Sequence, residues 1–214
     1  MRKRKLRNGS GGSIDKQRVK ELSNKPNQPI IAFKAPAEWE AWLEENHAGS
    51  KGVWLRIYKK DSGRATVAYA EALDEALCHG WIDGQRKPFD AASYLVKFTP
   101  RRPKSLWSKI NQGHIARLHK LKKMKPAGLA AVAAAKQDGR WQAAYDPPGK
   151  AKIPQDFLDQ LAKNKQAKAF FETLNKTNLF SIAWRLQTAI KPETRERRMK
   201  AIIAMLAKGE KFHG

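Results

Sequence analysis

Residues 69–85 decide the fold, and their sequence is YAEALDEALCHGWIDGQ. From Tyr69 to Cys78 the apolar side chains recur at helical spacing, which predicts an amphipathic helix with the acidic side chains on its outer face. These acidic residues are Glu71, Asp74 and Glu75. Trp81 to Gln85 follows directly after a glycine and is typical of a short strand. A helix followed at once by a strand predicts an α+β protein.

Two further strands are predicted on either side of this unit. Side chains alternate between apolar and polar or aromatic types from Val53 to Tyr58, and again from Tyr94 to Thr99. A period of two over five to six residues is typical of a half-buried strand. Together with Trp81 to Gln85, these segments predict a small sheet with packed helices.

Proline and glycine mark the neighbouring helices. Pro36 and Pro126 are each placed to open a helix, and Gly139 is placed to end the second one. Between these helices we predict another, from Leu106 to about Lys123, with Ser105 as its N-cap. The buried side of that helix is expected to carry Trp107, Ile110, Ile115, Leu118 and Leu121.

The chain divides at the clearest linker, Pro147-Pro148-Gly149-Lys150. We expect a disordered basic tail over residues 1–28, an α+β domain over 29–146 and a C-terminal helical module over 151–210. Four punctuated helices are predicted in the module. Their shared core is expected to hold Phe157, Phe170, Phe171, Trp184 and Leu206.

The formal net charge is +23, and it is unevenly distributed. Residues 31–100 hold nine basic and ten acidic side chains, whereas residues 101–150 hold twelve and two. Such a field attracts anionic partners of every class without choosing among them. Cys78 is the one cysteine in the sequence, and no apolar segment is long enough to cross a membrane. We therefore expect a cytoplasmic protein without a transmembrane segment.

Residues 98–108, FTPRRPKSLWS, are the most informative stretch for function. Two prolines bracket Arg101 and Arg102 directly before a predicted helix N-terminus, and guanidinium groups suit phosphates and carboxylates. In the alternative interpretation, Ser105 caps the helix and the arginines pair with Asp83 or Glu71. The candidate anion site consists of Asp83, Arg101, Arg102, Ser105, Trp107, Ser108 and Asn111.

Two other functions stay open at this point. The basic helix face could bind nucleic acid through Lys109, Arg117, Lys120, Lys122 and Lys123. Alternatively, Asp83 could act as a general base in an enzyme for an anionic small molecule. No metal-ligand spacing, glycine-rich phosphate loop or nucleophile motif is present, so we expect no metal, no cofactor and no catalytic residue.

Three blocks of sequence resemble a known family. They are residues 71–84, residues 98–128 with their Pro-Arg-Arg turn, and residues 191–209. All three are similar to the YdeI/OmpD-associated proteins, also called bacteriocin-protection or OmdA-like proteins. The resemblance implies a YjbR/CyaY-like α+β body with a small antiparallel sheet, a C-terminal helical module and a role in protection against bacteriocins and cationic antimicrobial peptides. Our first hypothesis for this chain is a non-enzymatic role in such protection or in resistance to envelope stress. It supplies no catalytic residues.

The charge limits how such protection could work. A chain with a net charge of +23 repels cationic peptides, so direct sequestration of those peptides is physically unfavourable. We therefore expect the protein to act through an anionic ligand or a protein partner.

Overall fold

The computed structural model describes residues 28–214, which contain four strands, eight α-helices and one 3₁₀ turn at Lys60–Ser62. The strands are β1 (Ile30–Ile31), β2 (Val53–Tyr58), β3 (Trp81–Asp90) and β4 (Ser93–Pro100). The helices are α1 (Pro36–Asn46), α2 (Tyr69–Cys78), α3 (Lys109–Lys120), α4 (Pro126–Gln137), α5 (Gln155–Leu161), α6 (Lys165–Phe171), α7 (Lys176–Gln187) and α8 (Pro192–Ala207). The α+β prediction is confirmed, while the tail predicted at residues 1–28 lies outside the described residues except for Gln28.

The strands form one sheet in the order β1-β2-β4-β3. β2, β4 and β3 pair antiparallel as predicted, but β1 pairs parallel to β2, so the sheet is mixed rather than antiparallel. β3 also continues past the predicted end at Gln85 and reaches Asp90. It can include Pro88 because it is an edge strand, where a missing N–H donor leaves no ladder bond unmade.

The main core lies between one face of the sheet and the helices α1 and α2. Its largest fully buried side chains include Trp39, Trp81, Phe98 and Trp107. The Trp39 indole N–H donates to the Ala72 carbonyl at 3.0 Å and so ties α1 to α2. A buried indole with a satisfied donor adds packing without leaving an unpaired polar group.

The predicted outer face of α2 is wrong at one position. Glu75 is only 6% exposed, and its closest cation is Lys123, 3.5 Å away. Burial raises the pKa of this carboxyl, and the nearby Glu40 charge raises it further. The helical period placed Glu75 outside, but α3 and the turn after it cover this side of α2.

Helices α2 and α4 meet at a glycine. The Gly128 position lies so close to the end of α2 that an added Cβ would sit 2.8 Å from both the Cys78 carbonyl carbon and the Leu77 carbonyl oxygen. The Lys125 N–H donates to the Cys78 carbonyl at 3.2 Å beside this contact. The absence of a side chain at residue 128 therefore permits the crossing.

α3 begins three residues later than predicted. Its N-cap is Ser108, whose Oγ accepts the Asn111 N–H at 3.1 Å, so the N-cap assignment to Ser105 is wrong. The backbone of Ser108 forms a parallel bridge with Tyr145, which fixes the chain in an extended conformation up to this residue. Since the helix starts late and ends at Lys120, two residues expected inside are exposed. They are Ile110 and Leu121, exposed by 52% and 56%.

The N-cap assignment gives a first testable prediction. Ser108→Ala should lower the free energy of unfolding by about 1 kcal/mol, because the half-buried Asn111 N–H loses its hydrogen-bond partner at the start of the helix. Ser105→Ala is the matched control and should have a smaller effect, since its hydroxyl accepts the N–H of the exposed Arg102. Urea denaturation of the two variants measures the difference, and an equal or larger loss for Ser105→Ala would contradict the assignment.

The four predicted C-terminal helices are present, and they share a second hydrophobic cluster. Phe157, Leu161, Ile182 and Leu206 are fully buried in it, with Phe170 and Phe171 packed against them. Trp184 was expected in this core but does not belong to the cluster. Its ring instead contacts Tyr145 edge-on, with a centroid distance of 6.3 Å.

Residues 28–214 contain neither a membrane-spanning helix nor a cluster of metal ligands. None of the helices within residues 28–214 combines the length and the apolar character that crossing a membrane needs. Over the same residues, no three His, Cys, Asp or Glu side chains lie together as a metal-binding group.

Candidate anion-binding site

The turn after β4 forms one wall of a small cleft, which we call the arginine cleft. Its volume is about 280 Å³. The opposite wall comes from the outer side of α4 and the residues directly after it. The lining residues are Arg101, Arg102, Pro103, Ala131, Ala134, Gln137, Asp138 and Arg140.

Arg101 is held deep in the cleft by contacts on three sides. Its backbone N–H donates to the Gly80 carbonyl at 3.0 Å, and its Nη1 donates to the Leu106 carbonyl at 3.2 Å. The guanidinium carbon lies 3.5 Å from the centroid of the Trp107 ring, a cation–π stack. These contacts fix the plane of the guanidinium group.

The Arg101 guanidinium is not fully satisfied. Its Nε and Nη2 atoms are shielded from solvent and have no hydrogen-bond partner among the described residues. Burial lowers the pKa of Arg101 to about 10, and repulsion from Arg140 acts in the same direction. The group stays cationic at neutral pH, because this pKa still lies well above 7.

Arg102 completes the exposed side of the turn. Its N–H donates to Ser105 Oγ at 3.1 Å, and the Ser105 N–H donates back to the Arg102 carbonyl at 2.9 Å. Ser105 therefore shapes the turn rather than capping the helix. Across residues 28–214 neither Arg101 nor Arg102 forms an ion pair with a carboxylate.

Arg140 is the third guanidinium of the cleft, and the sequence did not suggest it. It is only 7% exposed, and its Nε lies 2.7 Å from a carboxylate oxygen of Asp138. Its Nη1 donates to the Ser105 carbonyl at 2.9 Å, which joins the end of α4 to the Arg102 turn. The one local signal is the Asp-Gly-Arg run at the helix end, and that run does not reveal a contact with a turn 35 residues earlier.

The start of α3 does not offer free donors to the cleft. The Ser108 side chain accepts the Asn111 N–H, while the Lys109 N–H donates to the Tyr145 carbonyl at 2.9 Å. The two candidate residues Ser108 and Asn111 thus serve the helix cap. Trp107 supports the site through its ring, and its buried indole N–H has no partner within the described part of the chain.

Among the described residues Asp83 forms no hydrogen bond with Arg101 or Arg102. Its Oδ2 accepts the Tyr69 hydroxyl at 2.7 Å. Burial raises the pKa of Tyr69, and this hydrogen bond raises it further. Arg101 is close enough to feel the Asp83 charge without forming an ion pair with it. The sequence interpretation in which Asp83 or Glu71 neutralises the arginines is therefore wrong for the described residues.

The basic face of α3 is more neutral than its sequence suggests. Lys109, Arg117 and Lys123 form ion pairs with Asp146, Asp74 and Glu75, respectively, at 2.7, 2.6 and 3.5 Å. Lys120 and Lys122 are exposed and have no ion pair in the part of the chain that the structure describes. Three of the five candidate nucleic-acid contacts are thus already matched by carboxylates.

The fold is that of an α+β protein with a C-terminal helical segment. The arginine cleft is the best candidate for its functional site. Residues 150–209 match the family described as "Bacteriocin-protection, YdeI or OmpD-Associated", which supports the family resemblance for this segment. Residues 31–131 match a different model, "Domain of unknown function (DUF8412)". The expected YjbR/CyaY-like body is therefore not supported. No curated protein and no solved structure matches the chain.

Proposed function

We propose that this protein binds a small phosphate- or carboxylate-bearing molecule in the arginine cleft. The observation that carries the proposal is that Arg101, a largely buried cation, lines the cleft without a carboxylate partner in the described residues. Arg102 lines the same cleft and forms no ion pair within that part of the chain. Two unneutralised guanidiniums side by side favour an anion that accepts several charge-assisted hydrogen bonds.

The energetic argument also favours a ligand over a structural role. A buried charge without a hydrogen-bonded counter-charge destabilises a fold, and ionisable groups whose pKa is shifted by burial in a cleft cluster at functional sites. Arg140 has the structural role in this cleft, since Asp138 and the Ser105 carbonyl satisfy it. Arg101 and Arg102 are left to contact the anion, while the Trp107 ring holds Arg101 in place.

The family match suggests the biological process in which this binding takes part. The description of the matched family names bacteriocin protection. We propose that any protection by this protein is indirect and depends on the anionic ligand, because a net charge of +23 repels cationic peptides. This role is non-enzymatic, and the protein acts in the cytoplasm.

Titration of inorganic phosphate and glycerol 3-phosphate into the full chain tests the proposal by calorimetry. Arg102→Gln should weaken binding by about tenfold or more, since one charge-assisted hydrogen bond contributes about 1.5–3 kcal/mol. Lys104→Gln is the matched control, because this exposed cation belongs to the same turn but does not line the cleft. Equal weakening by both changes would indicate general electrostatic attraction, and absence of binding to the unaltered protein would refute the proposal.

A further inference from the structure

A second cavity lies among the C-terminal helices, and its lining residues are more apolar than those of the arginine cleft. Its volume is about 330 Å³, within the range of pockets that hold small organic molecules. We call it the C-terminal pocket. Its lining residues are Trp184, Arg185, Arg198, Ala201, Ile202, Met205 and Phe212.

Most of the wall is apolar, and two aromatic rings contribute to it. Trp184 comes from α7, whereas Phe212 comes from the segment after α8. That segment is fixed in place by Asn178, which is only 1% exposed. Its side chain accepts the His213 N–H at 3.0 Å and donates to the His213 carbonyl at 3.2 Å. The Phe212 wall is therefore held by a buried amide rather than by surface contacts alone.

Two arginines supply the polar part of the wall. The Arg185 guanidinium carbon lies 3.7 Å from the centroid of the Phe212 ring. Arg198 donates to the Arg185 carbonyl at 2.7 Å and to the Thr188 hydroxyl at 3.2 Å. In residues 28–214 neither guanidinium forms an ion pair with a carboxylate.

The positive charges of Arg185 and Arg198 repel each other. Burial lowers the pKa of Arg185, and the charge of Arg198 lowers it further. An anion placed between them would remove this repulsion and accept hydrogen bonds from both groups. The remaining lining residues offer mainly apolar contacts, which a strongly hydrated inorganic ion cannot use.

We propose that the C-terminal pocket binds a small apolar carboxylic acid, aromatic or branched aliphatic. Its carboxylate lies between Arg185 and Arg198, and its body lies against Trp184, Met205 and Phe212. This site differs from the arginine cleft in its aromatic wall, because none of the residues that line the cleft carries an aromatic ring. It also places a binding function in the segment that matches the bacteriocin-protection family.

The test uses 2-naphthoate as the probe, titrated into the full chain and followed by calorimetry. Arg185→Met should weaken binding by about tenfold or more, because one charge-assisted contact is lost while the apolar wall remains. 2-Naphthalenemethanol, the neutral analogue, should bind the unaltered protein more weakly than 2-naphthoate by a similar factor. Arg197→Met is the matched control, since Arg197 is an exposed arginine on α8 outside the pocket lining.

A second variant tests the location without removing a charge. Ala201→Phe places a ring at the pocket wall and should also reduce 2-naphthoate binding, so it decides the question if Arg185→Met does not fold. Arg102→Gln should leave 2-naphthoate binding unchanged, so this proposal and the arginine-cleft proposal can fail separately. No binding of 2-naphthoate, equal affinity for the neutral alcohol, or insensitivity to both pocket variants would overturn the inference.

Discussion

Gly128→Ala is expected to lower the free energy of unfolding by about 3 kcal/mol, because the added methyl group overlaps backbone atoms at the α2–α4 crossing. The nearest atom to the new Cβ is the Cys78 carbonyl oxygen, with the Leu77 carbonyl oxygen 2.8 Å away. Both atoms belong to the helix backbone, which cannot move aside as a flexible side chain can. Relief would require the two helices to separate and open the core beside Cys78.

Gly113→Ala is the matched control for this prediction. Residue 113 lies inside α3, and an added Cβ would meet no atom within 4 Å. The change should raise the free energy of unfolding by about 0.5–1 kcal/mol, since alanine is the better helix former. Urea denaturation of both variants measures the contrast. A Gly128→Ala protein as stable as the original would mean that α2 and α4 are farther apart than described.

Arg101→Met is expected to stabilise the free protein by about 1 kcal/mol, because removal of a largely buried charge without a counter-charge outweighs the loss of its Nη1 hydrogen bond to the Leu106 carbonyl. The methionine would keep a contact with the Trp107 ring and remove two shielded donors that have no partner in residues 28–214. The same variant should lose phosphate binding. A gain in stability together with a loss of binding distinguishes a ligand-binding arginine from a structural one.

Arg140→Met should change stability in the opposite direction. Its guanidinium is satisfied by Asp138 and by the Ser105 carbonyl, so its removal leaves this carbonyl without that donor and should cost about 1–3 kcal/mol. Thermal unfolding and urea denaturation in phosphate-free buffer compare the two variants. Destabilisation by Arg101→Met equal to that by Arg140→Met would assign Arg101 to the architecture of the turn.

Much of the fold could be predicted because its signals are local. The period of α2, the alternation in β2 and the proline at the start of α1 each lie within the element that they predict. The parallel pairing of β1 could not be predicted in this way. Ile30 and Ile31 form a two-residue strand whose direction depends on pairing with Trp54 and Leu55, more than 20 residues away in the chain.

The start of α3 shows the same limit at a single position. Ser105 and Ser108 both precede a helical run and are equally suitable N-caps by residue type. The backbone bridge from Ser108 to Tyr145 decides between them. That bridge joins residues 37 positions apart, so no local pattern reports it.

The part of the candidate site that is local in the chain could be predicted from the sequence. The Pro-Arg-Arg-Pro run brings Arg101 and Arg102 together locally, and Trp107 is near enough in the chain to stack on Arg101. Arg140 comes from beyond α4, and only the tertiary fold brings it to the Ser105 carbonyl. The two pocket arginines of the C-terminal helices were likewise hidden, because Arg185 and Arg198 belong to different helices.

Within residues 28–214 the sheet ends in the edge strands β1 and β3, and each discourages the addition of a foreign strand. At one edge β1 offers only two residues for pairing. At the other edge the ladder of β3 is interrupted between Asp83 and Arg86 and again between Pro88 and Asp90, and the proline lacks a donor. Short, irregular and charged edges oppose edge-to-edge aggregation. Pro88→Val would restore a donor on β3 and so should increase the tendency of the protein to form β-rich aggregates at high concentration.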